Sequence, residues 1–382
     1  MSNDKEFEID LNILTNNTKK LIANYSDYNY FFADLRNNAF GLGIFVVNTL
    51  VNSGINYIFV SSLNDAIKVR RYNNEIPILV TDEIDKEYIF DAINNNITIT
   101  VMSSNYLLEI SKLKIKDELK IHILLDNGSN KLGLKNYTEL KEIIDIINTN
   151  KYLTLEGIYS ELTSYGIDDT FYYEQMSILN KLISKVGVTD LIVHLNEPLM
   201  FHKKPENING IKFDLSLFGI TNKYEDNILN NLKRKSIEKK YGDLSFKDLN
   251  INLDLVFSIT SKVISLNCGK KEELVGKKHV LKQDSLLGII GIGYKSGITG
   301  SLKSVVINGS NYEIIASLLD YIIVLIDESV KVNDKVYIIS NRNNIYKLIE
   351  KLNTNRYYLM TTLNSNIKRI YKDNDELKEV FY

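Results

Sequence analysis

Eight short apolar runs with amphipathic stretches between them occupy the first 220 residues, and that alternation leaves few folds open. The runs are Tyr30–Leu35, Tyr57–Ser61, Pro77–Val80, Thr98–Met102, Ile121–Leu125, Leu155–Tyr159, Leu191–His194 and Gly210–Phe213. Helical patterns lie at Leu11–Tyr25, Phe45–Ser53, Leu63–Arg71, Asn105–Lys112, Tyr137–Asn148 and Phe171–Lys185. Strands alternating with helices over short connections pair in parallel and are covered by those helices. Eight such units close into a (β/α)8 barrel at the lower end of its size range.

The pattern changes after Gly219. Residues 223–250 are polar and include Lys233-Arg-Lys-Ser-Ile-Glu-Lys-Lys240, which reads as a solvated linker or helix face rather than an anion site. From Leu253 onward short β-like runs recur between Gly, Asn and Asp turns: Leu255–Ile264, Leu286–Gly291, Ser304–Ile307, Tyr312–Ser317, Tyr321–Ile326 and Lys335–Ser340. The expected architecture is α/β: a TIM-type barrel over 1–222, an inserted polar linker over 223–250, and a C-terminal all-β domain over 251–382.

Composition excludes some functions. Forty-six basic and 48 acidic residues give a net charge of −2, which supports neither nucleic acid nor a membrane surface as a partner. The single cysteine, Cys268, allows no internal disulfide and suits a reducing compartment, so a cytoplasmic setting is expected. Four histidines and no Cys/His cluster of ligand spacing argue against a metal site.

The octet Arg36-Asn-Asn-Ala-Phe-Gly-Leu-Gly43 follows the first barrel strand. Gly41-x-Gly43 alone is a weak phosphate signal, but flanking landmarks add to it. The octet resembles the cofactor signature of alanine racemases, Lys-Ala-Asn-Ala-Tyr-Gly-His-Gly. Ile121–Gly133, Leu155–Leu162, Asn209–Gly219, Ile290–Gly297 and Ala316–Asp320 resemble later segments of the same family, in the same order. The resemblance implies a barrel-plus-β fold, a homodimer in which one subunit's β domain covers the other's barrel mouth, and pyridoxal phosphate (PLP) bound covalently to the signature lysine.

That lysine position is Arg36, and a guanidinium is always protonated at ordinary pH and forms no such link. The tyrosine serving the opposite face falls at Val275. The phosphate-binding tyrosine falls at Phe40, and a phosphate-binding serine falls near Pro198. The arginine at the pyridine nitrogen falls at Lys212, and the arginine at the phenolic oxygen at Lys131. A structural lysine falls at Leu124, an imidazole at Glu161, and a gate tyrosine at Ser365. Asn38, Gly41, Gly43, Asp126, Gly128, Gly133, His194, Gly219, Tyr294 and Asp320 are retained.

The expectation drawn from this pattern is a racemase-like pseudoenzyme that needs no PLP. It would bind a small anionic ligand through Arg36, Lys131, Lys212 and Tyr294, or pair with a racemase or cell-wall enzyme in D-amino-acid metabolism. The alternative is a PLP-dependent amino-acid racemase that uses a non-standard lysine, Lys131 or Lys212. Arg36 itself has two readings: a ligand clamp, or a filler paired with an acid such as Glu161. His194 reads as a structural histidine rather than a catalytic one.

Overall fold

The computed structural model describes the chain except residues 1–4, 165–169, 188–189, 198–203, 222–227, 242–250, 298–301, 341–344, 352, 363–366, 375 and 381–382. Pro198 and Ser365 therefore lie outside the described residues. Strand β1 (Glu6–Asp10) precedes a closed parallel barrel of β2 (Tyr30–Asp34), β3 (Tyr57–Val60), β4 (Ile78–Val80), β5 (Thr98–Val101), β6 (Leu119–Leu124), β7 (Leu153–Ser160), β8 (Ile192–Asn196) and β9 (Gly210–Phe213). All eight expected runs are strands of this barrel. Strand β2 pairs with both β3 and β9, which closes the ring.

The barrel strands are mostly buried because their two faces meet different cores. The outward faces pack under the helices. The inward faces build a separate aromatic core of Phe32, Tyr57, Phe59, Leu79, Tyr159 and Ile192.

The second unit is a sheet of nine strands in the order β13-β16-β15-β14-β17-β10-β1-β18-β19, with β13 also pairing β10. Its members from the C-terminal half are β10 (Phe257–Gly269), β13 (Ser285–Ile290), β14 (Ser304–Ile307), β15 (Ser310–Ser317), β16 (Ile322–Ile326), β17 (Lys335–Ile339), β18 (Lys368–Asp373) and β19 (Glu376–Val380). Strands β11 (Leu274–Val275) and β12 (His279–Val280) form a small hairpin. Two short helices, Ile345–Lys351 and Arg356–Thr362, lie between β17 and β18.

One segment lies elsewhere than expected. The N-terminal strand β1 leaves the barrel and pairs with β10 and β18, because Phe7 and Ile9 alternate inward into that sheet's core. Of the two readings of the charged run, linker or helix face, the structure has the helix, Ile228–Tyr241, whose Ile237 is buried. At the junction Gly219 has φ 80°, and a Cβ there would stand 2.0 Å from the Asp254 carbonyl oxygen. Only glycine allows the barrel's last turn to meet the entry to β10 so closely. Among the described residues no helix is long and apolar enough to cross a membrane.

Candidate active site at the barrel mouth

Parallel strands of a closed barrel deliver their C-terminal ends to one face. There β2 ends at Asp34, β7 leads to Glu161, and β9 carries Lys212. Arg36 Nε donates to Asp34 Oδ1 and Oδ2 at 2.9 and 3.0 Å, and Nη2 donates to Oδ2 at 2.6 Å. Lys212 Nζ donates to Asp34 Oδ2 at 3.1 Å and to Glu161 Oε1 at 2.5 Å. Arg36 Nη2 is 3.6 Å from Glu161 Oε1. Two cations and two anions thus neutralise one another over the face of Phe59, whose ring centroid is 4.2 Å from Lys212 Nζ and 5.3 Å from Arg36 Cζ.

Burial alone would raise the Asp34 carboxyl, but Lys212 and then Arg36 outweigh it and hold it below its ordinary value. Lys212, with Arg36 behind it, draws Glu161 down to about 2. Asp34 is fully buried, whereas the Arg36 and Glu161 side chains keep about a third of their surface, 33% and 30%.

The main partner of Arg36 is therefore Asp34, which sequence reasoning did not single out. The available signal was an aspartate two residues before the arginine, at the end of a strand otherwise buried and apolar. A charge there requires a partner.

A second polar cluster lies deeper. His194 stacks between Phe32 and Tyr159, with ring centroids at 4.0 and 4.8 Å. His194 Nε2 and His122 Nδ1 are 3.2 Å apart, and His122 Nε2 is 3.2 Å from Glu156 Oε2. Glu156 also accepts from Tyr57 OH at 2.6 Å and Thr98 Oγ1 at 3.0 Å, and Lys120 Nζ lies 3.1 Å from its other oxygen. Burial pushes both histidines below their ordinary value. The structural reading of His194 fits this setting.

The mouth opens into a cavity of about 600 Å³ lined by Arg36, Leu124, Lys131, Tyr159 and Glu161, among others. Lys131 is exposed and makes no hydrogen bond or ion pair among the described residues. Its loop is anchored from behind: Gln175 Nε2 donates to Asn127 Oδ1 and Ser129 Oγ, both at 2.8 Å. Arg36, Lys131 and Glu161 thus share one cavity, with Lys212 buried behind Arg36. Tyr294 is 49% exposed on the β domain, outside this cavity's lining. Val275 is buried in the β11–β12 hairpin against Leu281 and Leu287.

The octet takes an unusual backbone. Asn37, Asn38, Ala39 and Phe40 all have φ between 52° and 55°, a full left-handed turn. Asparagine tolerates this conformation; alanine and phenylalanine do not, at about 1–2 kcal/mol each. Asn38 Oδ1 accepts from Ile44 N at 3.1 Å. From β18, Arg369 donates to the Gly41 carbonyl at 2.7 Å and Tyr371 OH to the Leu42 carbonyl at 2.6 Å.

The positions that the resemblance gives to PLP do not fit it in the family's own manner. Arg36 offers no amine for attachment. Phe40 is buried against Phe218 and Tyr357 and has no hydroxyl to donate. Tyr357 OH donates to Asp214 instead, and Ser216 Oγ to Glu197. Burial, and then Asp214 nearby, push Glu197 up to about 8. The Asp214 carboxylate thus lies on Tyr357, the ring 6.0 Å from Phe40, where the resemblance expects a phosphate. An amine that does open onto the cavity is Lys131.

Comparison with known proteins fixes the kinship. The chain matches the alanine racemase N-terminal domain over residues 9–208 and the C-terminal domain over 256–371. It is 25% identical over 381 residues to the alanine racemase of Staphylococcus epidermidis, covering 94% of each chain. The alanine racemase of Bacillus anthracis, solved with bound L-Ala-P, superposes with a TM-score of 0.84 at 23% identity, over 100% of this chain and 98% of that one. The alanine racemase of Bartonella henselae, solved with covalently bound pyridoxal phosphate, gives 0.80 at 19% identity, over 97% and 99%. That last relative corrects the expectation that no PLP is needed: the fold shared along nearly the whole chain is one that holds this cofactor, and the expected absence is withdrawn. Both domains, in order and at nearly full length, place the chain in the alanine racemase family.

Proposed function

We propose that the chain is a PLP-dependent amino-acid racemase that works through an amine other than position 36, and that Lys131 is that amine. Kinship along nearly the whole chain supports the cofactor and the reaction class. The observation that carries the choice of residue is the contrast between the two lysines. Lys131 is exposed at the cavity and unpaired among the described residues, while Lys212 is 3% exposed and held by two carboxylates. PLP, when bound, supplies an electron sink for the α-carbon of an amino acid. The chain's own residues bind and orient the substrate. The Glu161 carboxylate, ionised throughout the physiological range, accepts from the substrate ammonium. Arg36 directs its remaining N–H groups to the carboxylate. Lys131 moves the proton at the α-carbon.

A second reading, ligand binding without turnover, is favoured by the closed quartet of Asp34, Arg36, Glu161 and Lys212, which already satisfies its own charges. Borohydride treatment of the PLP-incubated protein, followed by peptide mass mapping, separates the two. Cofactor trapped on Lys131, with trapping and alanine racemisation lost in Lys131→Ala, supports the first reading. No trapped cofactor and no racemisation supports the second.

The assembly we infer is a homodimer. Exposed Leu274, Leu319 and Tyr321 on the β domain suit a second copy, and sedimentation measures the mass. The inferred setting is the bacterial cytoplasm, in keeping with the single exposed Cys268.

A further inference from the structure

The two segments that bring Lys131 and Glu161 to the mouth are joined behind it by buried side-chain amides. The loop after β6 is closed at its neck by backbone bonds, Asp126 N to the Leu134 carbonyl and Leu134 N to the Leu124 carbonyl, both at 2.9 Å. Beyond the neck, Asn127 is 1% exposed, and its Nδ2 donates to the Glu161 carbonyl at 3.0 Å. Its Oδ1 accepts from Gln175 Nε2 and from Ser129 Oγ. Gln175 is fully buried on the helix Phe171–Ile183. It also donates to Thr163 Oγ1 at 3.1 Å, and its Oε1 accepts from Ser164 N at 3.0 Å. Gln175 therefore grips both segments at once.

This bridge needs a group that donates at one end and accepts at the other, which is what a side-chain amide offers. A carboxylate at 175 would set oxygen against Asn127 Oδ1. An apolar side chain there would leave buried groups of both segments without a partner. The Glu161 segment is fixed independently from β8: Asn196 Oδ1 accepts from Leu162 N at 2.7 Å, and its Nδ2 donates to the Leu162 carbonyl at 3.1 Å. Lys131, two residues beyond Ser129, makes no hydrogen bond or ion pair among the described residues, so its place is inherited from its loop. Its charge is still near enough to join Lys212 and Arg36 in drawing the Glu161 carboxyl down.

We propose that Asn127 and Gln175 are positioning residues that set the distance from Lys131 to Glu161, and with it the approach of the amine to the substrate. The catalytic part of this role rests on Lys131 being the reacting amine.

Two variants of the full chain test this. Gln175→Met keeps the volume and removes both ends of the amide. Asn127→Asp keeps the acceptor for Gln175 and removes only the donor to Glu161. Hydrogen exchange followed by mass spectrometry reads the tie on peptides covering 127–133 and 161–164, and unchanged exchange in the barrel strands verifies the fold. Gln175→Met should speed exchange at least about tenfold in both segments together. In the PLP-loaded chain its kcat for alanine racemisation should fall about 10²-fold with KM within about threefold, because a displacement of about 1 Å misplaces the amine and leaves the contacts of Arg36 in place. Asn127→Asp should lower kcat in the same direction, again without moving KM. Unchanged exchange in either segment of Gln175→Met overturns the tie. An active wild type whose variants keep kcat, or whose KM rises as much as kcat falls, overturns the positioning role. A wild type that racemises nothing with PLP removes the reading of Lys131 instead, and exchange alone then decides whether the two segments are tied.

Discussion

The barrel holds a polar cluster toward each end of its strands, and the two keep their groups in place by opposite means. At the mouth, Asp34, Arg36, Glu161 and Lys212 are all charged, and each charge is held by its opposite. Deeper in, Glu156 is the charged hub of mostly neutral partners, Tyr57, Thr98, His122 and, through His122, His194, with the half-buried Lys120 on its other oxygen. The aromatic layer of Phe32, Phe59 and Tyr159 lies between them. A closed ring of ions is robust as a whole but fails when one member goes, because a buried charge is left alone. A hub whose partners are mostly neutral loses one hydrogen bond at a time.

The largest test of that contrast is Asp34→Asn. It leaves two cations against Glu161 alone and should cost about 4 kcal/mol in urea unfolding. A cost below about 1 kcal/mol would show that the mouth is far wetter than its burial implies.

Acid titration should separate the clusters by pH. Both histidines have folded values below the unfolded value of 6.5. The unfolded chain therefore takes up protons first, and stability falls as pH drops below 6.5, by up to about 1.4 kcal/mol per pH unit for each proton. Glu161 and Glu156 are depressed from 4.5 to about 2. Their stabilisation is complete above pH 4.5 and is lost between there and about 2. The deep cluster should thus weaken first, and His194→Gln should flatten the slope between pH 6.5 and 4.5 while leaving the lower one. An unaltered upper slope would mean that His194 carries no linked proton.

Glu156→Gln should cost about 1.5 kcal/mol, well below Asp34→Asn, because its partners are mostly neutral. Equal costs for the two substitutions would erase the contrast. Opposite in sign is Glu197→Gln, a change that stabilises. A carboxyl raised to about 8 opposes folding increasingly as pH climbs from 4.5 to 8. At about 1.4 kcal/mol per pH unit over that range, the variant should gain up to about 5 kcal/mol at pH 9 and nothing at pH 4.

Much of this was legible in the chain. Buried parallel strands are apolar on both faces, so all eight barrel strands stood out as runs. Strand β1 did not, because Glu6-Phe-Glu-Ile-Asp10 is five residues long and alternates, and its partners lie about 250 and 360 residues away. The pair β18–β19 was hidden by its Lys, Asp and Glu content, and the charge of Lys233–Lys240 left linker and helix face both open for what is the helix Ile228–Tyr241. At the site, Arg36, Lys131, Glu161 and Lys212 were identified by motif position. What a motif could not supply was Asp34, which no signature contains and which only the closed barrel brings within reach of both Arg36 and Lys212. Nor could it show that Asp214 stands on Tyr357 beside Phe40, since the three come from different elements.

The clasp on the left-handed turn has a consequence in time. Arg369 and Gly41 are 328 residues apart, so the mouth loop leaves the ribosome long before the strand that fastens it exists. Throughout synthesis the nascent barrel carries its most strained turn without Arg369 and Tyr371. A premature stop just before β18 would spare every barrel strand and still leave that turn unlatched. Strand β18 thus completes a loop that emerges 328 residues before it, and the mouth takes its shape only once both have been made.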